Sequence, residues 1–432
     1  MKTRLFFISF MALLSSVFSF GQDVRLVGGD ISLLPSYEAV NTPYRDKNNQ
    51  TISDLVTYVK ETCGWNACRV RLFVNPVIVN KDGTKQGEVQ DLPYVLALGK
   101  RIKDAGMAFM LDFHYSDTWA DPVKQTIPTA WKSLTEEQLL DTVYHYTRNC
   151  LDTLVAAGAT PDYVQIGNEV SYGMLWRNND DKVWANSAYE NNATAWQRFN
   201  AFLNAGARAV REVTPQAKII VHIERTTSAN TCVNFYNCLA HDNVDYDIIG
   251  LSFYPFWHGW ITGELKSTLN ALEQGFPDKS IQIVETAYYN NYFPVNDSGT
   301  KFNTSTVWPG TEAGQDAYLA ALISELKNHD NVNGLYYWFP EENGNGGASY
   351  NASKIVITNW LNRGLFNPNS HKALSGLYRL KDYVSDGTAV DEVTIKQTED
   401  GIVYSILGLP VGTSLEQLPQ GVYILNGKKV KK

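Results

Sequence analysis

Two glutamates end apolar runs in this 432-residue chain. Glu169 closes "VQIGNEV" beside Asn168, and Glu285 closes "SIQIVE". A carboxylate at such a place either meets solvent or faces a cleft, because burying it unpaired is very costly. Two carboxylates that share a cleft can break a glycosidic bond. One protonates the leaving oxygen, and the other attacks the anomeric carbon or activates a water. The acid needs a raised pKa, which partial burial and a nearby carboxylate supply. The expected separation of the two carboxyls is about 5 Å, with retention of configuration. Asn168 is suited to bind a substrate hydroxyl near the reacting carbon, helping only as far as that bond strengthens in the transition state. Arg71 is suited to hold the nucleophile ionised and oriented.

These residues need a scaffold that brings distant segments to one rim. Eight apolar runs end in polar or aromatic side chains: "VRLVGGDIS", "ACRVRLFVNP", "AFMLDFHYSD", "DYVQIGNEV", "AKIIVHIER", "DIIGLSFYPF", "SIQIVETAYY" and "NGLYYWFPEE". Amphipathic stretches lie between many of them, including 54–63, 91–105, 136–156, 195–213 and 313–328, with apolar spacings of three and four. This alternation predicts parallel strands in an α/β fold, a (β/α)8 TIM barrel over residues 22–377. An open doubly wound sheet is the rival, but "GGDISLLPS" is not a dinucleotide-binding turn. In a barrel, active sites form where strands end. The strand ends here offer Asp30 and Ser32; Arg69, Arg71 and Asn75; Asp112, His114, Ser116, Asp117 and Trp119; His222 and Glu224; Tyr254, Trp257 and His258; Tyr288; and Trp338, Glu341 and Glu342. No serine elbow is present. A metal held by Asp30, Asp112, His114 and His222 lacks the tight spacing of a ligand set.

Composition narrows the partners. Aromatic residues make up 12%, with 11 Trp and 24 Tyr, enough to fill a core and still leave stacking platforms for sugars. A formal charge of -8 argues against nucleic acid. Lys2, Arg4, the apolar run 5–17 and the small residues Ser19 and Gly21 resemble a secretory leader over residues 1–21. The run is too short to span a bilayer, and no later segment is apolar enough. The expected location is therefore outside the cytoplasm: secreted, periplasmic or at the cell surface. Of five Cys, Cys63 with Cys68 and Cys232 with Cys238 are candidate short-loop disulfides; the alternative is five buried thiols. Residues 378–432 lose helical periodicity and read as a small C-terminal β appendage. "LPQGVYILNGKKVKK" resembles the carboxy-terminal sorting tails of Bacteroidetes-type surface proteins.

The segments "GGDISLLPSYE", "RVRLFVNP", "DFHYSDTWADPVKQTIPTAW", "IGNEVSYGMLW", "IGLSFYPFWHG" and "VETAY" resemble glycoside hydrolase family 53, the endo-β-1,4-galactanases. They span Gly28 to about Trp338, and the third is long and specific. The resemblance implies that Glu169 is the acid/base and Glu285 the nucleophile. It places Arg71, Asn168, Tyr254 and Trp338 around the reacting sugar. Asp30, Asp112, His114, Asp117, Trp119, Trp131, His222 and Trp257 are further substrate-binding candidates. The implied substrate is the β-1,4-galactose backbone of galactan or arabinogalactan, cut internally, by a monomer that needs no cofactor. Structural calcium, as in some relatives, would have Asn290, Asn291, Asn296 and Asp297 as oxygen donors after strand seven. Two rim positions depart from the family pattern: Trp338-Phe339-Pro340, where Trp-Glu-Pro is usual, and "HIERTT", which lacks Asn-Gly after the His. Two other readings stay open: a same-clan enzyme acting on mannan or xylan, and a secreted glycan-binding protein without turnover.

Overall fold

Eight parallel strands close into a barrel in the computed structural model of the chain. They are β1 (Leu26–Asp30), β2 (Ala67–Leu72), β3 (Ala108–Phe113), β4 (Tyr163–Ile166), β5 (Lys218–Ile223), β6 (Ile248–Ser252), β7 (Ser280–Thr286) and β8 (Val332–Trp338). Each pairs with its neighbours in chain order, and β1 closes the ring between β2 and β8. The structure describes residues 24–39, 43–76, 88–291, 293, 301–344, 362–385, 403–405, 410–412, 414, 417–419, 422–425 and 428–432. The expected leader lies outside them.

Helices form between the strands: α1 (Leu55–Glu61), α2 (Leu92–Asp104), α3 (Glu136–Ala156), α4 (Ala193–Val213), α5 (Ala229–Ala240), α6 (Lys266–Gly275) and α7 (Glu312–Leu326), with α1 to α4 and α7 falling on the amphipathic stretches named from the sequence. Their starts carry the expected oxygen acceptors for otherwise unpaired backbone N–H groups. Asp54, Asp91, Ser228 and Thr311 cap α1, α2, α5 and α7, and Thr135 with Gln138 makes a reciprocal capping box on α3.

The barrel interior is built in layers by strand periodicity. Leu26, Ala67, Met110, Ile220, Ile248, Val284 and Tyr336 form an apolar floor. Residues two or four further along the same strands keep the same facing. Above the floor this gives Asp30, Arg69, Arg71, Asp112, His222, Ser252 and Trp338. Strand β7 departs from that rule. Its register shifts so that Leu251 pairs with Ile283 and Ser252 with Glu285. A bulge of this kind re-aims a side chain; here Val284 joins the floor while Glu285, the next residue, faces Arg69.

The chain divides into two compact units, 1–384 and 385–432. The first continues past the expected end at 377 because Leu380 and Tyr383 are buried, and the Tyr383 hydroxyl donates to Val332 O at 2.8 Å. In the second unit, Val403–Ser405, Pro410–Gly412, Val422–Leu425 and Lys428–Lys431 form an antiparallel sheet, the strand texture read from the sequence.

All five cysteines are separate, buried thiols, so neither candidate disulfide forms. Cys232 and Cys238 lie on one helix, about 9 Å apart along its axis at the α-helical rise. That exceeds the reach of a disulfide. Cys63 has Lys381 as its charged neighbour, whereas Cys68 has Glu341 and Asp30.

Candidate active site

Arg69 organises the open end of the barrel. Its Nη1 meets Asp30 Oδ2 at 2.9 Å, and its Nη2 meets Asp112 Oδ2 at 2.8 Å and Glu285 Oε1 at 3.0 Å. Nη2 also donates to Asn168 Oδ1 at 2.8 Å. Arg69, Asp30 and Asp112 are fully buried, and such charges persist in an interior only when paired. Burial alone would raise the pKa of Asp112, but Arg69 and His114 outweigh it and hold the carboxyl below its ordinary range. The guanidinium expected to hold the nucleophile is thus Arg69, not Arg71. Arg71 and Arg69 are two residues apart on one strand face, and only the position nearer the floor reaches Glu285. Arg71 instead binds Asp30 Oδ1 at 3.0 Å and lies over the Trp119 ring, 4.4 Å from its centroid.

Glu285 and Glu169 share the site but not their surroundings. Glu285 takes a 2.8 Å hydrogen bond from the Tyr254 hydroxyl in addition to the Arg69 contact. Glu169 takes a 2.7 Å hydrogen bond from Ser252 Oγ and has no ion-pair partner among the described residues. Burial pushes both carboxyls up, Glu285 to about 7 against the pull of Arg69 and Tyr254. Glu169 lies well above its usual range, through burial and then the charges of Glu285 and Glu224. Two such groups titrate as a pair. The first proton therefore stays on Glu169, and Glu285, beside its cation, is the one ionised. The chain reaches Glu169 through a tight turn: Gly167 has φ 93° and Glu169 itself φ 47°. Left-handed backbone at a non-glycine residue costs about 1–3 kcal/mol and clusters at functional sites.

Asn168 lies beside Glu169, with Oδ1 held by Arg69 and Nδ2 donating to Ala120 O at 2.8 Å. His222 is neutral, its pKa driven well down by burial and by Arg69. It bridges Ser252 Oγ through Nε2 at 2.8 Å. His114 contacts Asp112 through Nε2 at 3.1 Å and accepts from Ala120 N through Nδ1. Trp119 and Trp338 pack edge to face at 5.8 Å, and Trp257 packs on Tyr254 at 5.2 Å. Asp30, Arg71, Asp112, His114, Trp119, Asn168, His222, Tyr254, Trp257 and Trp338 thus gather around the glutamates.

Two candidates do not join them. Asp117 spends one oxygen on Asn75 N at 3.1 Å and the other on Thr129 N at 2.8 Å, clasping the loops after β2 and β3. Trp131 packs edge to face on Tyr146 of α3, with ring centroids 5.4 Å apart. Sequence reasoning assigned no role to Arg69, Ser252 or Gln165, whose Nε2 donates to Asp112 Oδ1 at 2.5 Å. The alternation of Arg69 with Arg71 was the signal for the first, and the polar residue two before Tyr254 for the second.

Among the described residues, no three His, Cys, Asp or Glu side chains are grouped to hold a metal. After β7, Asn290 Oδ1 is buried without a partner among them, one oxygen where calcium takes about six to eight. Asn296 and Asp297 lie outside the described residues.

The model of glycosyl hydrolase family 53 matches residues 26–380. An arabinogalactan endo-beta-1,4-galactanase of Cellvibrio japonicus is 31% identical, over 73% of this chain and 80% of its own length. Among solved structures, a family 53 catalytic domain of Ignisphaera aggregans aligns with a TM-score of 0.70 and 30% identity, covering 84% of this chain and 97% of that one. A fungal beta-1,4-galactanase aligns with a TM-score of 0.66 and 27% identity, covering 83% and 99%.

Proposed function

The chain belongs to glycosyl hydrolase family 53, and from that membership we propose that it cleaves internal β-1,4-galactosidic bonds of type I galactan or arabinogalactan by a double displacement that retains anomeric configuration. The observation that carries the mechanism is the electrostatic asymmetry of the glutamates: Arg69 and the Tyr254 hydroxyl attend Glu285 and not Glu169.

Ionised Glu285 attacks the anomeric carbon. The bond from that carbon to the leaving oxygen breaks, and the oxygen takes the proton of Glu169. A glycosyl ester on Glu285 results. Glu169, now a carboxylate, removes a proton from water, whose oxygen attacks the same carbon and frees Glu285. Each glutamate ends as it began. Arg69 and Tyr254 stabilise the departing carboxylate in the second step as they hold the attacking one in the first. Asn168 and the Trp119–Trp338 wall supply hydroxyl and stacking contacts to the sugar. The reaction needs no cofactor.

Export by the leader, action as a monomer and sorting through the tail belong to the same proposal. Lys2, Arg4, the run 5–17 and "LPQGVYILNGKKVKK" support export and sorting. No described helix is long and apolar enough to cross a membrane.

The test is chromatography of products from linear β-1,4-galactan, with NMR of the newly released anomeric centre. Short galacto-oligosaccharides appearing first as the β-anomer are expected. Glu285→Gln and Glu169→Gln should each lower turnover by about 10³-fold or more while galactan binding persists. Preferred cleavage of mannan or xylan would move the substrate elsewhere. A wild type as inert as Glu285→Gln would leave only a glycan-binding protein.

A further inference from the structure

Behind Glu169 runs a chain of hydrogen bonds that the double displacement does not itself require. Ser252 Oγ lies 2.7 Å from Glu169 Oε1 and 2.8 Å from His222 Nε2. On the far side of the ring, Nδ1 lies 3.1 Å from Asn168 Oδ1 and 3.4 Å from the backbone N of Glu169. The backbone contact decides where the hydrogens sit. Asn168 Oδ1 already receives Arg69 Nη2 at 2.8 Å, so it is satisfied without an N–H from His222. The Glu169 N–H has no other acceptor among the described residues, and buried backbone donors are almost always paired. Nδ1 is therefore the acceptor, Nε2 carries the hydrogen of the neutral ring, and Ser252 Oγ receives it. The serine hydroxyl hydrogen can then go only to Glu169 Oε1. The opposite arrangement would orphan the Glu169 N–H.

We propose that Ser252 and His222 are positioning residues that decide which oxygen of the acid/base carries the transferable proton. Ser252 donates to Oε1 in both protonation states of Glu169, so the proton resides on Oε2, the oxygen left for the glycosidic bond. His222 enforces this by occupying the acceptor side of the serine. The inference rests on the acid/base role proposed above for Glu169.

The charged and titratable groups around the chain leave this assignment in place. Glu285 on β7, Glu224 after β5 and Asp121 after β3 face Glu169, and each raises its pKa. Arg69, Asp112, His114 and His258 surround His222, and Arg69 and both histidines keep it neutral. The Tyr254 hydroxyl feels both glutamates but donates to Glu285. A donor aimed at Oε1 stabilises the carboxylate more than the acid. Its loss therefore moves the ionisation of Glu169 upward.

The experiment compares pH profiles of kcat/KM on linear galactan and on a dinitrophenyl β-galactobioside, whose leaving group needs no acid. For Ser252→Ala, the alkaline limb on galactan should rise by about one pH unit, the size of one hydrogen bond to a charged group. The rate at the optimum should fall at least about tenfold more on galactan than on the activated substrate, as expected when acid assistance is misdirected. Ser252→Thr keeps the hydroxyl and should restore the limb. His222→Gln provides a second route should Ser252→Ala fold poorly, with a shift of the same sign. An alkaline limb that stays or falls in Ser252→Ala and His222→Gln, or equal losses on both substrates, overturns the inference. Glu169→Gln separates it from the reading beneath: if that variant keeps the wild-type alkaline limb, the role of Glu169 itself fails. If the limb vanishes there yet is unmoved in Ser252→Ala, only the serine–histidine assignment fails.

Discussion

Arg69 is the cation that tells the two glutamates apart, and replacing it has two separable effects. Arg69→Met leaves Asp30 and Asp112 buried with one partner fewer, and breaking a buried ion pair from one side costs about 3–5 kcal/mol. Urea denaturation should register that loss. The second effect is on titration. Arg69 pulls the Glu285 pKa down against burial. Without it Glu285 ionises at higher pH, so the acid limb of kcat/KM should move up and the alkaline limb should not follow it. An unmoved acid limb would remove Arg69 from the titration of Glu285. The wild-type profile should be a bell, rising as Glu285 ionises and falling as Glu169 loses its proton.

Loops and strands set what a side chain can reach, as Asp117 shows. Its sequence context, "DFHYSDTW", reads as groove lining, but its oxygens are spent on Asn75 N and Thr129 N. Asp117→Ala should cost about 2 kcal/mol through two newly unpaired backbone donors, while both limbs of the pH profile stay in place. A shifted limb would return Asp117 to the chemistry. The strands themselves were legible, because buried parallel strands alternate visibly with amphipathic helices and their polar ends announce the rim. That the two glutamates and most of the side chains around them meet at one rim could be read from that pattern and from family motifs. The choice between Arg69 and Arg71 was not, since both lie on one face and depth in the barrel decides which meets Glu285. Nor was the bulge in β7 visible. Strict alternation would send either Val284 or Glu285 outward, and the register shift brings both in.

At the scale of the molecule, the two compact units each hold their own sheet. A chain ending at Val384 should therefore retain the barrel's circular dichroism, its melting midpoint within a few degrees and its turnover on linear galactan. Loss of folding in that truncation would show that the second unit completes the first. The cysteines carry a different consequence. Burial pushes the Cys63 and Cys150 thiols up to about 12 and Cys238 to about 11, and raises Cys68 and Cys232 as well. Alkylating reagents attack thiolates that they can reach, so the native barrel should be silent to iodoacetamide and the opened chain should take up five equivalents. With no crosslink to reform, recovery from denaturant should need neither an oxidant nor a disulfide isomerase. Its own sulfur atoms then serve as a stopwatch for how often the ring comes apart.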